Sequence, residues 1–350
     1  MKSNGYFRRV ENETPTRFWI NNPTLRQARE AIDAGAIGCT TNPSYVSKLF
    51  ESPEDFAQVK RAVDMLLPHV EDNNELAAIV QRMMVARLSD VFMPLYEASE
   101  GKEKYMTIQG DPFEETDAQS IIDEGLENRR IGPNITVKIP VTTYGIEAIS
   151  TLVKMDVPTM ATEVMGLSQA ISICEAYTQA SQESGFSPPF HVTHITGILD
   201  DHFKRVVAND HLDISPEAMQ WAGLSIAKRE YALMRERNYP GIMIGGGARK
   251  LEDFTELVGG HLHVTINWKG TADILLEKDG PVVHRIDSFP EQHLIDELME
   301  KLPDYRRAYL LDGMQSDEYY DYGGVELFRS SFMKGWNMLL DFIKEQRRMR

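Results

Sequence analysis

Cysteine is nearly absent from this chain. Two residues in 350, Cys39 and Cys174, are too few for a disulfide framework. Cys39 lies in an apolar run and Cys174 in a helical one, so both read as packing residues. Basic residues are also in deficit, 37 against 53 acidic, for a net charge of −16. That balance argues against nucleic acid as a partner and for a soluble, self-repelling surface. No apolar run is long enough to span a membrane. Residues 1–16 lack the apolar core of a signal peptide, so a cytoplasmic protein without a membrane partner is expected. The histidines show no metal-ligand spacing such as H-E-x-x-H, and no cofactor or metal is expected. Internal repeats and low-complexity linkers are missing as well.

What is present is apolar content enough for a large core, 42% of 350 residues. Either one large α/β domain or two fit that length. Strand patterns fall at 17–21, 36–40, 105–109, 134–141, 157–162, 190–195, 241–244 and 262–266. Helical patterns follow most of them, at 24–34, 114–128, 143–155, 167–184, 216–237 and 250–258. Residues 53–98 read as two further long helices separated by Asp72-Asn73-Asn74. Alternation of this kind implies a parallel sheet, and eight units in about 250 residues fit an α/β (β/α)8 TIM barrel. The expected division is a surface arm over 1–16, a barrel over 17–284 with the helical insertion at 53–98, and a helical C-terminal cap over 285–350.

The stretch 134–141, Asn-Ile-Thr-Val-Lys-Ile-Pro-Val, is the most informative. Ile135, Val137 and Ile139 share one face of a strand, Thr136 and Lys138 the other. A lysine is rarely buried without a partner. Desolvation lowers its pKa, and a neutral amine is a nucleophile towards carbonyl carbon. An ion pair or a side chain reaching out to solvent would explain Lys138 equally well from this stretch alone. In a barrel of this kind catalytic groups sit at the C-terminal strand ends and point inward. Counting by twos puts Asn21, Gln109, Lys138, Thr162 and His194 each at such an end. Four polar ends around one lysine indicate a shared active site. Glu163 falls on the opposite face by parity and reads as a helix-facing salt-bridge residue rather than a shifted acid. Asp111 reads as the cap of the turn after the third strand, although it could also reach the site as an acid. Gly245-Gly246-Gly247-Ala-Arg249 reads as an anion-binding turn, although a plain tight turn also explains the glycines.

Thr40-Thr-Asn-Pro-Ser44, Val137-Lys-Ile-Pro-Val-Thr142, Gly145 and Pro158-Thr-Met-Ala-Thr162 followed by Gln169-Ala170 resemble the transaldolases. The resemblance is nearest to the small fructose-6-phosphate aldolase branch, and covers about residues 17–270 in order. It implies a Schiff-base role for Lys138, and a catalytic water positioned by Gln109 and held by Thr162. His194 stands where the small branch carries a tyrosine. Thr41, Asn42 and Ser44 match a turn that contacts substrate hydroxyls, and Arg249, with Gly246 and Gly247 beside it, matches a phosphate-binding loop. The sequence departs from the family at strand one, where Asn21 replaces an aspartate and cannot take a proton at neutral pH. It departs again after strand six, where Gly197 stands at an arginine position; Lys204, Arg205 or Lys250 could replace that charge. The expected function is a transaldolase-like class I aldolase acting on a ketose or ketose phosphate, as transferase or lyase. The alternative is a barrel that binds sugar phosphate without turning it over. A homo-oligomer is implied by the resemblance.

Overall fold

The computed structural model of the chain describes residues 5–350. Eight strands pair in parallel and in sequence order, and the last returns to the first to close a barrel. They are β1 Arg17–Asn21, β2 Gly38–Thr40, β3 Met106–Gln109, β4 Ile135–Pro140, β5 Thr159–Val164, β6 Phe190–Ile195, β7 Ile242–Gly246 and β8 His263–Ile266. The (β/α)8 fold implied by the alternation is the fold observed.

Side-chain parity divides each strand between two environments. Phe18, Ile20, Ile108, Val137, Ile139, Val192 and Val264 belong to the apolar layer shared with the helices. Trp19, Ile37, Tyr105, Met160 and Ile244 form a separate cluster that fills the N-terminal end of the barrel. Inward positions further along the same strands, Asn21 after Trp19 among them, therefore open on the C-terminal mouth, where polar groups find space.

Local sequence explains the helices around this barrel. Thr24 and Gln27 form a capping box before Leu25–Ala34, which Gly35 ends in the left-handed region. Asp72 accepts from the amides of Asn74 and Glu75 and starts the helix Asn73–Ala98. Gly145 lies in the first turn of Thr143–Lys154 against the Pro140 carbonyl, where a Cβ would collide. That close approach seats a helix directly on the end of the lysine strand.

Two expected segments differ. Of the arm expected over 1–16, residues 1–4 lie outside the described residues, while Tyr6–Glu13 is a helix with Tyr6, Phe7 and Val10 buried. Phe7 stacks on Phe18 of β1 with 4.1 Å between ring centroids. Between the strand expected at 190–195 and the helix expected at 216–237, where no helical pattern is expected, the chain is helical over Thr196–Asn209.

Beyond the barrel, Lys228 is fully buried and donates to the Glu256 carboxylate and to the carbonyls of Arg285 and Ser288. All three ammonium donors are used, which fixes the chain as it leaves β8. The last helix, Gly323–Arg348, buries Val325, Phe328, Phe332, Trp336, Leu339 and Ile343 along one face. It lies across the barrel mouth. Ser44 Oγ donates to the Ser331 carbonyl (3.1 Å), Trp336 Nε1 to Asn74 Oδ1 (2.7 Å), and Arg347 to the Val70 carbonyl (2.8 Å). Among the described residues no helix is long and apolar enough to cross a membrane.

Candidate active site

Lys138 lies near the end of β4, points into the barrel and is 6% exposed. Among the described residues its ammonium makes no hydrogen bond and no ion pair. The Phe332 ring of the C-terminal helix lies beside it, with 5.7 Å from Nζ to the centroid. Neither an ion pair nor a route to solvent therefore accounts for it. Burial pulls its pKa down to about 8, and the charges of Glu163 and Glu115 oppose that shift. A lysine so placed has a substantial neutral fraction at mildly alkaline pH.

On one side of Lys138 is a buried cluster of proton-handling groups. Gln109, its register partner on β3, donates through Nε2 to Glu163 (2.9 Å) and to Glu115 (3.1 Å). Burial raises Glu163 to about 7, against the pull of Gln109, Lys138 and Arg329. Glu115 is pushed well above the usual carboxylate range by burial and by Glu163. Thr162 Oγ1, Gln109 Oε1 and Glu163 Oε2 are buried with no hydrogen-bond partner.

Glu163 corrects the parity argument. The β5–β6 register runs from Ala161 opposite Val192 to Val164 opposite His194, so one extra residue is accommodated between them. The resulting bulge turns Glu163 inward at φ +59°, where it is 1% exposed. Gln169 holds the bulge, accepting from the Met165 amide (2.8 Å) and donating to the Glu163 carbonyl (3.1 Å).

On the other side of Lys138 is a cavity of about 210 Å³ lined by Asn21, Asn42, Ser44, Thr193, Gly246, Gly247, Arg249 and Asn267, with Phe328, Ser331 and Phe332 above it. Asn21 is part of a hydrogen-bonded chain. Its Oδ1 accepts from Thr40 (2.9 Å), its Nδ2 donates to Asn267 Oδ1 (3.0 Å), and Thr40 meets Thr265 at 2.7 Å. An aspartate could not donate to Asn267, so the amide at strand one fits its surroundings. Asn42 Oδ1 accepts from Asn22 Nδ2 and from the Ser44 amide (3.0 and 3.1 Å), which fixes the turn after β2. Thr41 does not face the cavity: its hydroxyl donates to the Thr107 carbonyl (2.6 Å) and ties β2 to β3. Asp111 accepts from the Phe113 amide (2.9 Å) and from Asn74, as a turn cap does.

The anion-binding expectation meets a different electrostatic setting. Arg249 is half exposed at the cavity edge, and its Nε donates to Asp201 (3.1 Å). Lys204 also pairs with Asp201 (3.6 Å), and Lys250 with Asp200 (2.9 Å). A Cβ at Gly197 would lie 2.7 Å from both the Arg249 amide and the Gly247 carbonyl. Packing of the helix start after β6 against the turn after β7 thus excludes an arginine at 197. Gly197→Ala is expected to cost about 1–3 kcal/mol in urea denaturation through this clash. It should raise KM more than it lowers kcat, because Gly247 and Arg249, which it displaces, line the cavity just after β7, three strands around the barrel from Lys138 on β4.

His194 is not in the site. Thr193 and Ile195 line the cavity, and His194 points outward to Glu230 of the helix Pro216–Glu236, with 2.8 Å between Nδ1 and Oε2. Both side chains are fully buried. His194 shares its strand face with Phe190 and Val192, which pack on helices, and that apolar company marks the outward side. Sequence reasoning also missed Asn267, Glu115 and the Phe328–Phe332 turn. The parity rule applied to β8 finds Asn267, two residues beyond Thr265; the other groups come from loops and a distant helix. Among the described residues no three His, Cys, Asp or Glu side chains converge to hold a metal ion.

Comparison with known proteins adds a family relationship. The chain matches the family model described as transaldolase/fructose-6-phosphate aldolase over residues 18–309. A transaldolase of Mycobacterium tuberculosis is 25% identical over 222 residues, covering 59% of this chain and 57% of the relative. A transaldolase of Thiobacillus denitrificans is 28% identical over 161 residues, covering 43% and 42%. The matched part of the chain spans 57% of the length of the first of these relatives and 42% of the second.

Proposed function

Since the chain belongs to the transaldolase/fructose-6-phosphate aldolase family, we propose that it is a class I aldolase that forms a Schiff base between Lys138 and a ketose and transfers or releases a dihydroxyacetone-type unit. The observation that carries this reading is a buried, unpaired lysine with a pKa near 8 at the wall of a polar cavity. The neutral amine adds to the ketone carbon, and loss of water leaves a protonated imine. That cation accepts the electron pair when the adjacent C–C bond breaks. Gln109, Thr162 and the buried carboxylates serve the proton transfers. Asn21, Asn42 and Asn267 offer amides to the substrate hydroxyls. The alternative of a non-catalytic sugar-binding barrel rested on Asn21 alone, and the Asn267 contact gives that amide a structural reason.

The far end of the cavity favours hydroxyls over phosphate. Arg249 is drawn to Asp201, a carboxylate it shares with Lys204, and the glycine at 197 removes a second cation. The test is a panel of ketoses with and without a terminal phosphate, each assayed with and without an aldehyde acceptor. We expect C–C cleavage or transfer, with kcat/KM for the unphosphorylated ketose at least equal to that of its phosphate ester. Turnover of none of them would refute the aldolase reading. A large preference for the phosphate ester would refute the substrate assignment alone.

A further inference from the structure

The inference drawn here rests on the Schiff-base reading and concerns where its protons go. The two inward amides of the site, Gln109 on the neighbouring strand β3 and Asn21 on β1, exchange no protons near neutral pH. The family resemblance gives proton transfer to an aspartate at the position of Asn21, so this chain must supply the group from somewhere else. We propose that Glu163 is the catalytic acid–base residue of this site. As the carboxylic acid it protonates the hydroxyl of the carbinolamine on Lys138; as the carboxylate it takes a proton from the water that later hydrolyses the imine.

Backbone geometry is the first support. A glutamate at φ +59° in mid-strand is uncommon, and the bulge that holds it has no evident role other than to turn this side chain inward. Gln169 braces that bulge and also donates to the Val141 carbonyl (3.0 Å), so the carboxylate is held on the same frame as the lysine strand. The second support is the surroundings. Glu163 has one oxygen on Gln109 and the other unpaired in a fully buried position, with the unpaired hydroxyl of Thr162 next in sequence. The Lys138 charge lowers Glu163, and Glu163 opposes the fall of the Lys138 pKa more than Glu115 does. Glu115 shares the Gln109 amide on the far side, and Arg329 of the C-terminal helix is the second cation that bears on both carboxylates.

The step balances. The carbinolamine carries a hydroxyl and a secondary amine on one carbon. The C–O bond breaks as the Glu163 proton passes to the departing oxygen, and the nitrogen lone pair forms the C=N bond. The products are water, a protonated imine and a carboxylate. Hydrolysis runs the same sequence backwards. The step needs a neutral amine for the addition and a protonated acid for the dehydration. Burial brings the two groups close enough, at about 8 and about 7, for both forms to coexist near neutrality.

The test uses the full chain, dihydroxyacetone as the donor, and borohydride to read the rate of imine formation on Lys138 as a function of pH. For the unaltered protein the rate should rise to a plateau between about 7 and about 8 and fall at higher pH, as the acid is lost. Glu163→Gln should slow imine formation by roughly a hundredfold or more. It should also remove the alkaline fall, so that the rate climbs with pH and levels off. Glu163→Asp should restore part of the rate and the fall. Full activity in Glu163→Gln, or a slow variant that keeps the alkaline fall, would overturn the assignment. Failure of the unaltered protein to trap any donor at Lys138 would instead remove the Schiff-base reading, and this proposal with it.

Discussion

Replacing Lys138 with methionine is expected to lower turnover of any accepted ketose by roughly a thousandfold or more, because the covalent path is lost and, among the described residues, no other lysine lines the cavity. Methionine has similar length and suits contact with Phe332. The variant should therefore fold, and it should be more stable than the parent at pH 7. A lysine that titrates near 8 when folded and near 10.5 when unfolded binds fewer protons in the folded state between those values. Its burial thus costs stability fully below about pH 8, by up to about 3 kcal/mol, and the cost fades as pH rises towards 10.5. Activity and stability are expected to move in opposite directions, as is common where a site holds an unfavourable group. Urea denaturation at pH 7 and at pH 10 checks the sign: the advantage of Lys138→Met should shrink at the higher pH. A variant that loses activity together with stability would point to a structural lysine.

His194→Ala should show the reverse pattern. Removing the imidazole leaves the Glu230 carboxyl buried on the far side of β6, where burial already pushes its pKa up and His194 opposes that shift. Losing one partner of a fully buried pair costs about 3 kcal/mol, read as a lower urea midpoint. The folded variant should keep the kcat, the KM and the imine formation of the unaltered protein, since the side chain does not line the cavity. Loss of kcat with unchanged stability would return His194 to the site.

These two residues show how far the sequence can be read. On β4 the apolar set Ile135, Val137 and Ile139 marks the helix-facing side, and Lys138 belongs to the other. The same criterion on β6 sets His194 beside Phe190 and Val192, on the outward side, and leaves Thr193 and Ile195 for the cavity. Counting polar strand ends without asking which face was apolar brought His194 inward. Alternation was sufficient for Asn21, Gln109 and Lys138 because their strands are regular. It failed at Glu163 because a bulge inserts one residue into the count, and nothing in Pro-Thr-Met-Ala-Thr-Glu-Val announces a left-handed glutamate. The lid over the cavity was beyond local reasoning for another reason. Phe328, Ser331 and Phe332 lie nearly two hundred residues after Lys138, and only the closed barrel brings them over it. The amide at strand one was legible as a departure but not as a fit, since its reason is the partner Asn267 on β8.

The central claim is a covalent bond between Lys138 and a ketone, and the most direct measurement is borohydride reduction of the protein with dihydroxyacetone and with a ketose, followed by intact mass and peptide mapping. The account predicts one stable adduct per chain, on the peptide that contains Val137-Lys138-Ile139, and none in Lys138→Met. An adduct on another lysine, or cleavage of the ketose without any adduct, would contradict it.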